Sequence, residues 1–177
     1  MIPLMSSAFT LDEPYVRQEL AKFVLETKRF SMGEKCFEFE ESFDKHQKRK
    51  YCVLFNSGSS ANLALLQALK NINLLKNDDK IGVSALTWAT NVMPVIQLGM
   101  KPVPIDCSLS NLNVNVDNLE GIDIDCLFIT NVLGFAGDLD RIKEYCVNNE
   151  ILFIEDNCES LGSEVGGVKT GNFGLAS

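Results

Sequence analysis

The pattern of hydrophobic and polar positions divides the chain into a helical beginning and a longer, alternating remainder. From Val16, apolar residues recur at i, i+4, i+7 and i+8, a spacing typical of one face of an amphipathic helix. A second helix is predicted over residues 34–48, where Phe39 and Phe43 fall on one face. Residues 1–49 are therefore predicted to form an N-terminal helical arm.

From Tyr51 onward, short apolar runs alternate with segments of helical periodicity. They predict strands over residues 51–55, 80–86, 103–106, 126–132 and 151–155, and helices over residues 60–72, 91–98 and 138–148. Gly166 and Gly167 predict a β-hairpin over residues 163–170. The alternation assigns residues 50–177 to an α/β fold, a mainly parallel sheet with helices on both faces. Ligands of such sheets bind outside the carboxyl ends of the strands, so the candidate site residues are those that follow the apolar runs.

Composition and charge narrow the classes of function. The 177 residues are 46% hydrophobic and 23% charged, with a formal net charge of −8, which is ordinary for a globular protein and unfavourable for binding nucleic acid. No apolar run reaches the length of a membrane-spanning helix. The six cysteines form no C-x-x-C pair and His46 is the only histidine, which argues against a metal site and against a histidine-based catalyst. A cytoplasmic protein with reduced thiols is predicted.

The first candidate site is a loop of small residues over 55–62, directly before a predicted helix. Gly58, Ser59 and Ser60 offer close backbone approach, hydroxyl groups and the unpaired N–H groups of a helix N-terminus, which together suit a phosphate. The loop has no lysine and is therefore unlike a P-loop. A helix cap uses the same atoms, so the spacing leaves open the alternative that Ser59 or Ser60 only caps the helix.

Two further candidates follow later strands. Trp88, the only tryptophan, either stacks on a flat heteroaromatic ring or packs in the core. Period-2 alternation points Glu155 and Asp156 to opposite faces of the sheet, so one of them faces the ligand crevice. A carboxylate buried there needs a cationic partner. A protonated pyridine nitrogen is one such partner, and Arg141 or Lys143 of the neighbouring helix is the alternative.

These three candidates correspond to the three attachments of pyridoxal 5′-phosphate (PLP). The loop suits its phosphate, the tryptophan its ring face and the strand-end carboxylate its ring nitrogen. A carboxylate that keeps this nitrogen protonated strengthens the ring as an electron sink. Each candidate is weak evidence alone, and their order along the chain makes the combination more specific.

At these residues the chain resembles the DegT/DnrJ/EryC/StrS family of sugar aminotransferases. The family consists of fold-type I PLP enzymes and includes the nucleotide-sugar 3-dehydrases. The resemblance runs from about residue 33 to residue 177 and includes the loop over residues 56–61 and the segments 87–90, 99–103, 134–140, 155–162 and 171–174. It implies that residues 50–177 are an incomplete PLP-binding large domain, without the smaller C-terminal domain of the family.

The resemblance also implies residue roles. The residues implied to bind the cofactor are Gly58, Ser59 and Ser60 at the phosphate, Trp88 over the ring, Asp156 at the pyridine nitrogen and Glu159 beside them. Glu159 stands where many family aminotransferases have a glutamine. The lysine that forms the Schiff base, or the histidine that replaces it in dehydrases, is expected beyond Ser177. The catalytic residue is therefore unknown, and the chain alone is expected to be inactive.

The function that the resemblance implies most directly is that of a sugar aminotransferase. Its substrate would be a nucleotide-linked 4-keto-sugar of lipopolysaccharide or polysaccharide biosynthesis, its cofactor PLP or pyridoxamine 5′-phosphate (PMP), and its full-length form a homodimer. Asn131, in place of a histidine common in the aminotransferases, brings the chain closer to the 4-keto-6-deoxyhexose 3-dehydrases. Two alternatives from other classes stay open: a catalytically inert cofactor-binding fragment, and a nucleotide-binding domain unrelated to PLP.

Overall fold

Two helices precede the sheet, as the periodicity predicts. The computed structural model describes residues 13–177, so the first twelve residues of the predicted arm lie outside it. Helix α1 spans Glu13–Glu26 and helix α2 spans Glu34–Gln47, and neither buries a residue. The rings of Phe39 and Phe43 stack on α2 with their centroids 5.6 Å apart. The division of the chain into an arm and a domain at residue 50 stays a prediction.

The remainder is built on a four-stranded parallel sheet, which confirms the predicted fold class. The strands are β1 (Lys80–Ser84), β2 (Lys101–Ile105), β3 (Cys126–Thr130) and β4 (Leu152–Asp156), in the spatial order β2-β1-β3-β4. The helices are α3 (Gly58–Asn71), α4 (Ala89–Gln97) and α5 (Leu139–Asn148). The predicted ends of these elements differ from the observed ends by at most two residues.

Helices cover both faces of the sheet, so the core has two layers. On one face Leu66 of α3 and Val95 of α4 pack with Phe128 and Ile154 of the sheet. On the other face α5 packs against alternate strand residues, including Leu127 and Phe153. The central strand β3 is buried along its whole length. Because side chains alternate along a strand, β3 and β4 contribute residues to both layers of the core.

The strand predicted over residues 51–55 is wrong. These residues form no strand, and Tyr51 and Val53 are 76% and 68% exposed. The backbone N–H of Leu54 donates to the Glu40 carboxylate at 2.7 Å instead of to a neighbouring strand. A groove of about 880 Å³ runs along this segment, between α2 and α3. A strand needs the backbone N–H and C=O groups of a neighbouring strand. No strand among residues 13–177 pairs with residues 51–55.

The predicted hairpin is confirmed, and the chain then returns to the sheet. Strands β5 (Glu164–Val165) and β6 (Val168–Lys169) pair across Gly166 and Gly167, which have φ angles of 58° and 79°. After the hairpin, the N–H of Leu175 donates to the Phe153 carbonyl at 2.7 Å, and the N–H of Glu155 donates to the Ala176 carbonyl at 3.1 Å. The last residues therefore lie along β4. No helix in the described part of the chain is both long and apolar enough to cross a membrane.

Candidate functional site

Asp156, the last residue of β4, is the point where three predicted segments meet. Its Oδ2 accepts hydrogen bonds from the side-chain amides of Asn62, at 3.0 Å, and Asn91, at 2.9 Å. Asn62 lies one turn after Gly58 on α3, and Asn91 lies three residues after Trp88 on α4. The two amides thereby tie the starts of both helices to the end of the strand.

The N-terminus of α3 is capped by Ser57. The Ser57 Oγ accepts the backbone N–H of Ser60 at 3.2 Å, so the alternative in which Ser59 or Ser60 caps the helix is wrong. The backbone N–H groups of Gly58 and Ser59 have no acceptor among the described residues. Two unpaired N–H groups at the start of a fourteen-residue helix can bind an anion.

Trp88 lies at the start of α4 and is 63% exposed. The alternative that it packs in the core is therefore wrong. The preceding residue is fixed by a 2.6 Å hydrogen bond between the hydroxyls of Thr87 and Thr130. The sheet end thus presents an indole ring with a free face, and a planar ring can stack on that face.

Glu155 lies on the face of the sheet opposite to that of Asp156, and it is 1% exposed. It accepts the backbone N–H groups of Gly171 at 2.8 Å, Phe173 at 2.9 Å and Gly174 at 2.8 Å. Asn131 adds an amide donor at 3.3 Å. The prediction that the two carboxylates face opposite sides is confirmed, and Glu155 is surrounded by donors from the protein itself.

The alternative that Arg141 or Lys143 of α5 is the cationic partner is wrong for both carboxylates. Arg141 pairs with Asp138 at 3.2 Å. Across residues 13–177 no basic side chain lies within ion-pair distance of Glu155 or Asp156. Neutral N–H donors suffice because a buried carboxylate needs hydrogen bonds and can receive them from the backbone or from amides.

Glu159 supports the loop after β3. Its Oε2 accepts the backbone N–H of Leu133 at 2.9 Å, and Leu133 is held in the left-handed region with φ 53°. Beneath this loop, Asn131 accepts from the Asn113 amide and donates to the Asn157 Oδ1, both at 2.7 Å. The Nδ2 of Asn157 is the one buried side-chain donor without a partner in the described part of the molecule. This asparagine chain has no sequence periodicity that predicts it.

The arrangement of small-residue helix start, exposed indole and strand-end carboxylate agrees with what a comparison of sequences finds. The model of the DegT/DnrJ/EryC1/StrS aminotransferase family matches residues 14–177. The chain belongs to this family. Its members are PLP-dependent aminotransferases and dehydratases.

Similar family members include enzymes of both kinds. A GDP-4-keto-6-deoxy-D-mannose 3-dehydratase of Escherichia coli O55:H7 is 34% identical over 178 residues, 98% of this chain and 45% of that protein. A GDP-perosamine synthase of Vibrio cholerae is 26% identical, over 83% of this chain and 40% of that protein. A solved structure of the E. coli 3-dehydratase with bound hydrated PLP matches with a TM-score of 0.89 and 32% identity, over 99% of this chain and 45% of that one. The chain spans less than half the length of these relatives.

The residues of the site fit the cofactor of the family. The free N–H groups of Gly58 and Ser59 suit a phosphate, and the exposed Trp88 suits a ring face. Asp156 carries a negative charge that no basic side chain in residues 13–177 neutralises, so it suits a protonated ring nitrogen. Within the same residues, no three His, Cys, Asp or Glu side chains group as metal ligands.

Sequence reasoning missed Asn62 and Asn91, the residues that join the site. A signal was present in the sequence. Each asparagine falls within one turn of a candidate helix start, in a helix that is otherwise apolar on that side. Asparagine is a poor residue for a helix interior unless its amide has a specific partner. An asparagine inside a helix that follows a candidate loop, as Asn62 is, is therefore a feature to examine, whereas Asn91 lies in the first turn of its helix and gives a weaker signal.

Proposed function

We propose that these residues form the cofactor-binding part of an enzyme that uses PLP or PMP. Its proposed substrate is a nucleotide-linked 4-keto-sugar of lipopolysaccharide or other polysaccharide biosynthesis. The observation that carries the proposal is the meeting of α3, α4 and β4 at Asp156. The names of the relatives, GDP-sugar 3-dehydratases and a GDP-perosamine synthase, support the substrate class.

Each site residue has a proposed task. Gly58, Ser59 and Ser60 bind the phosphate through backbone N–H and hydroxyl groups, and Trp88 stacks on the ring. Asp156 accepts a hydrogen bond from the protonated ring nitrogen. Glu159 is proposed to turn its Oε1, which has no donor among residues 13–177, toward the cofactor. When bound, PLP supplies an electron sink for charge that develops on the substrate carbon.

Removal of the C3 hydroxyl is proposed ahead of transamination. Three relatives that are 31–34% identical are named 3-dehydratases, whereas the GDP-perosamine synthases are 26–28% identical. Asn131 adds to this preference because a histidine is common at that place in the aminotransferases. The order of the two reactions expected from the sequence resemblance is thus reversed in the proposal.

The reaction is tested with the complete enzyme, PLP, glutamate and GDP-4-keto-6-deoxymannose. Glutamate is chosen because a related 3-dehydratase was trapped with PLP and glutamate. Mass spectrometry of the nucleotide sugar then reads the reaction. A product that has lost the C3 oxygen supports dehydration, and a product that has exchanged its keto oxygen for an amino group supports transamination.

The cofactor proposal is tested on the 177-residue chain itself. PMP is the probe, because its binding requires no covalent bond to a lysine. Asp156→Ala is expected to weaken PMP binding at least about tenfold, since a hydrogen bond to a charged group contributes on the order of 1.5–3 kcal/mol. Asp140→Ala, which removes an exposed carboxylate of α5, is the matched control. Absence of PMP binding by the unaltered chain, or equal binding by the two variants, would contradict the proposal.

The remaining properties are proposed on the same basis. The bacterial biosynthetic relatives support a cytoplasmic enzyme. The formal net charge of −8 supports the absence of a nucleic-acid partner. A homodimer is proposed because α1 and α2 bury no residue and nearby apolar side chains such as Phe30 and Phe37 are 67% and 58% exposed. This chain alone is proposed to bind the cofactor without turnover. Binding of PMP without product is the outcome expected for an inert fragment.

A further inference from the structure

The two amides that meet at Asp156 come from different helices and converge on one atom. Both Nδ2 groups bond the same carboxylate oxygen, Oδ2, at 3.0 Å from Asn62 and 2.9 Å from Asn91. The other oxygen, Oδ1, accepts only the backbone N–H of Cys158, at 2.9 Å. An ionised carboxylate offers about four lone-pair sites. Donors among the described residues fill three of them, and the remaining site is on Oδ1.

Both amides are buried, so their hydrogen bonds are not incidental. Asn91 is 0% exposed and Asn62 is 9% exposed. The Asn62 amide also donates to the Thr90 carbonyl, and the Asn91 Oδ1 accepts the Thr90 hydroxyl, each at 3.3 Å. A buried amide without partners destabilises the fold. Asp156 provides the shortest hydrogen bond of each side chain, which makes it the main partner of both.

The donors are neutral, and this is the decisive property. An arginine or lysine in the same place would fix the carboxylate equally well, but it would supply a counter-charge. Asn62 and Asn91 fix the carboxylate and leave its charge uncompensated, because no basic side chain in residues 13–177 pairs with Asp156. A fixed, uncompensated carboxylate favours a ligand that carries a positive charge at the free lone pair.

We propose that Asn62 and Asn91 are positioning residues that hold Asp156 by Oδ2 so that Oδ1 receives the protonated nitrogen of a heteroaromatic ring. This inference rests on the proposed cofactor function and deepens it. The amides bond the carboxylate oxygen that faces away from the proposed ring position, Oδ2. Their effect on cofactor binding is therefore transmitted through Asp156 alone.

A double-mutant cycle on the 177-residue chain with PMP as the probe tests this transmission. Asn91→Leu and Asn62→Leu are each made in the unaltered chain and in the Asp156→Ala chain. In the unaltered chain each is expected to weaken PMP binding about tenfold, and in the Asp156→Ala chain by less than about twofold, because residues that act through one group are not additive. Gln67→Leu is the matched control, since Gln67 is an exposed amide of α3 that bonds only Asn71.

The outcomes separate this inference from the function on which it rests. If the unaltered chain binds no PMP, the proposed function fails and this inference fails with it. If the unaltered chain binds PMP but the asparagine variants bind it equally well, only this inference is overturned. Equal weakening in both backgrounds also overturns it, because the amides would then act on the fold and not through Asp156. Circular dichroism monitors folding, and Asn62→Leu at the less buried position provides the test if Asn91→Leu does not fold.

Discussion

Glu155 and Asp156 are adjacent carboxylates with opposite environments. Glu155 is buried on the face covered by α5, and four N–H donors of the protein surround it. Asp156 lies half-buried on the face of α3 and α4, where three donors leave one lone pair free. Neither has a basic partner among residues 13–177. The same chemical group therefore serves the fold on one side of the strand and is available to a ligand on the other.

This difference shows that a ligand-binding carboxylate can be recognised by counting the hydrogen-bond donors around it. Burial alone would rank Glu155 above Asp156 as the more unusual carboxylate. The count of donors reverses that ranking, because a saturated carboxylate has no capacity left for a ligand. The available group is the one that is fixed but incompletely used.

The largest expected effect is on stability, at Glu155. Glu155→Gln replaces one accepting oxygen with an NH₂ group that faces backbone N–H donors. We expect it to lower the free energy of unfolding by about 3 kcal/mol or more, since each hydrogen bond to a charged group contributes on the order of 1.5–3 kcal/mol. Urea unfolding measures the change. Glu144→Gln, at an exposed position of α5, is the control and is expected to change stability by less than about 0.5 kcal/mol. A loss as small as that of the control would show that the Glu155 cluster does not stabilise the fold.

The thiols extend the comparison to reactivity. Cys146 of α5 is buried in the layer beneath Glu155, and burial raises its pKa to about 12. Cys158 is exposed, two residues after Asp156. At pH 8 we expect iodoacetamide to modify Cys158 at least about a hundredfold faster than Cys146, because the thiolate is the reactive form and the thiolate of Cys146 forms only as the pH approaches its raised pKa. Peptide mass spectrometry of timed samples gives both rates. Similar rates would contradict the burial of Cys146 and the exposure of Cys158.

The smallest expected effect separates two neighbouring serines. Ser57→Ala removes the cap of α3 and is expected to lower the free energy of unfolding by about 1 kcal/mol. Ser59→Ala is the matched control for stability, because no side-chain hydrogen bond joins the Ser59 hydroxyl to the described residues. It is expected to leave the unfolding midpoint unchanged while weakening PMP binding. The reverse pattern in stability would assign the cap to Ser59.

Local patterns predicted the elements of this fold well, and non-local contacts explain what they missed. The alternation over residues 151–155 predicted the opposite directions of Glu155 and Asp156, because side-chain direction in a strand is a local property. The residues at 51–55 have strand-like composition, but whether they form a strand depends on a neighbour that composition does not specify. The three backbone donors to Glu155 lie 16 to 19 residues away in sequence, in a loop that follows the hairpin.

The candidate site was predicted in its parts but not in its connections. Small residues before a helix, a lone tryptophan and strand-end carboxylates are visible in the sequence as Gly58, Trp88 and Asp156. Their meeting depends on Asn62 and Asn91, whose amides cross from two helices to a third element. Such hydrogen bonds between elements have no periodic signature, so the sequence suggested only cationic partners for the carboxylate and not these two neutral amides.

The most direct test of the divided roles is the protonation state of the ring nitrogen in bound PMP. Nitrogen-15 NMR of ring-labelled PMP on the 177-residue chain reports it, at a pH above that at which free PMP loses its ring proton. The chain with Asp156 is expected to keep the bound ring protonated, as is the control Asp140→Asn, whereas Asp156→Asn is expected to release the proton. A bound ring that loses its proton at the same pH as free PMP, with Asp156 in place, would contradict the proposed role of Asp156.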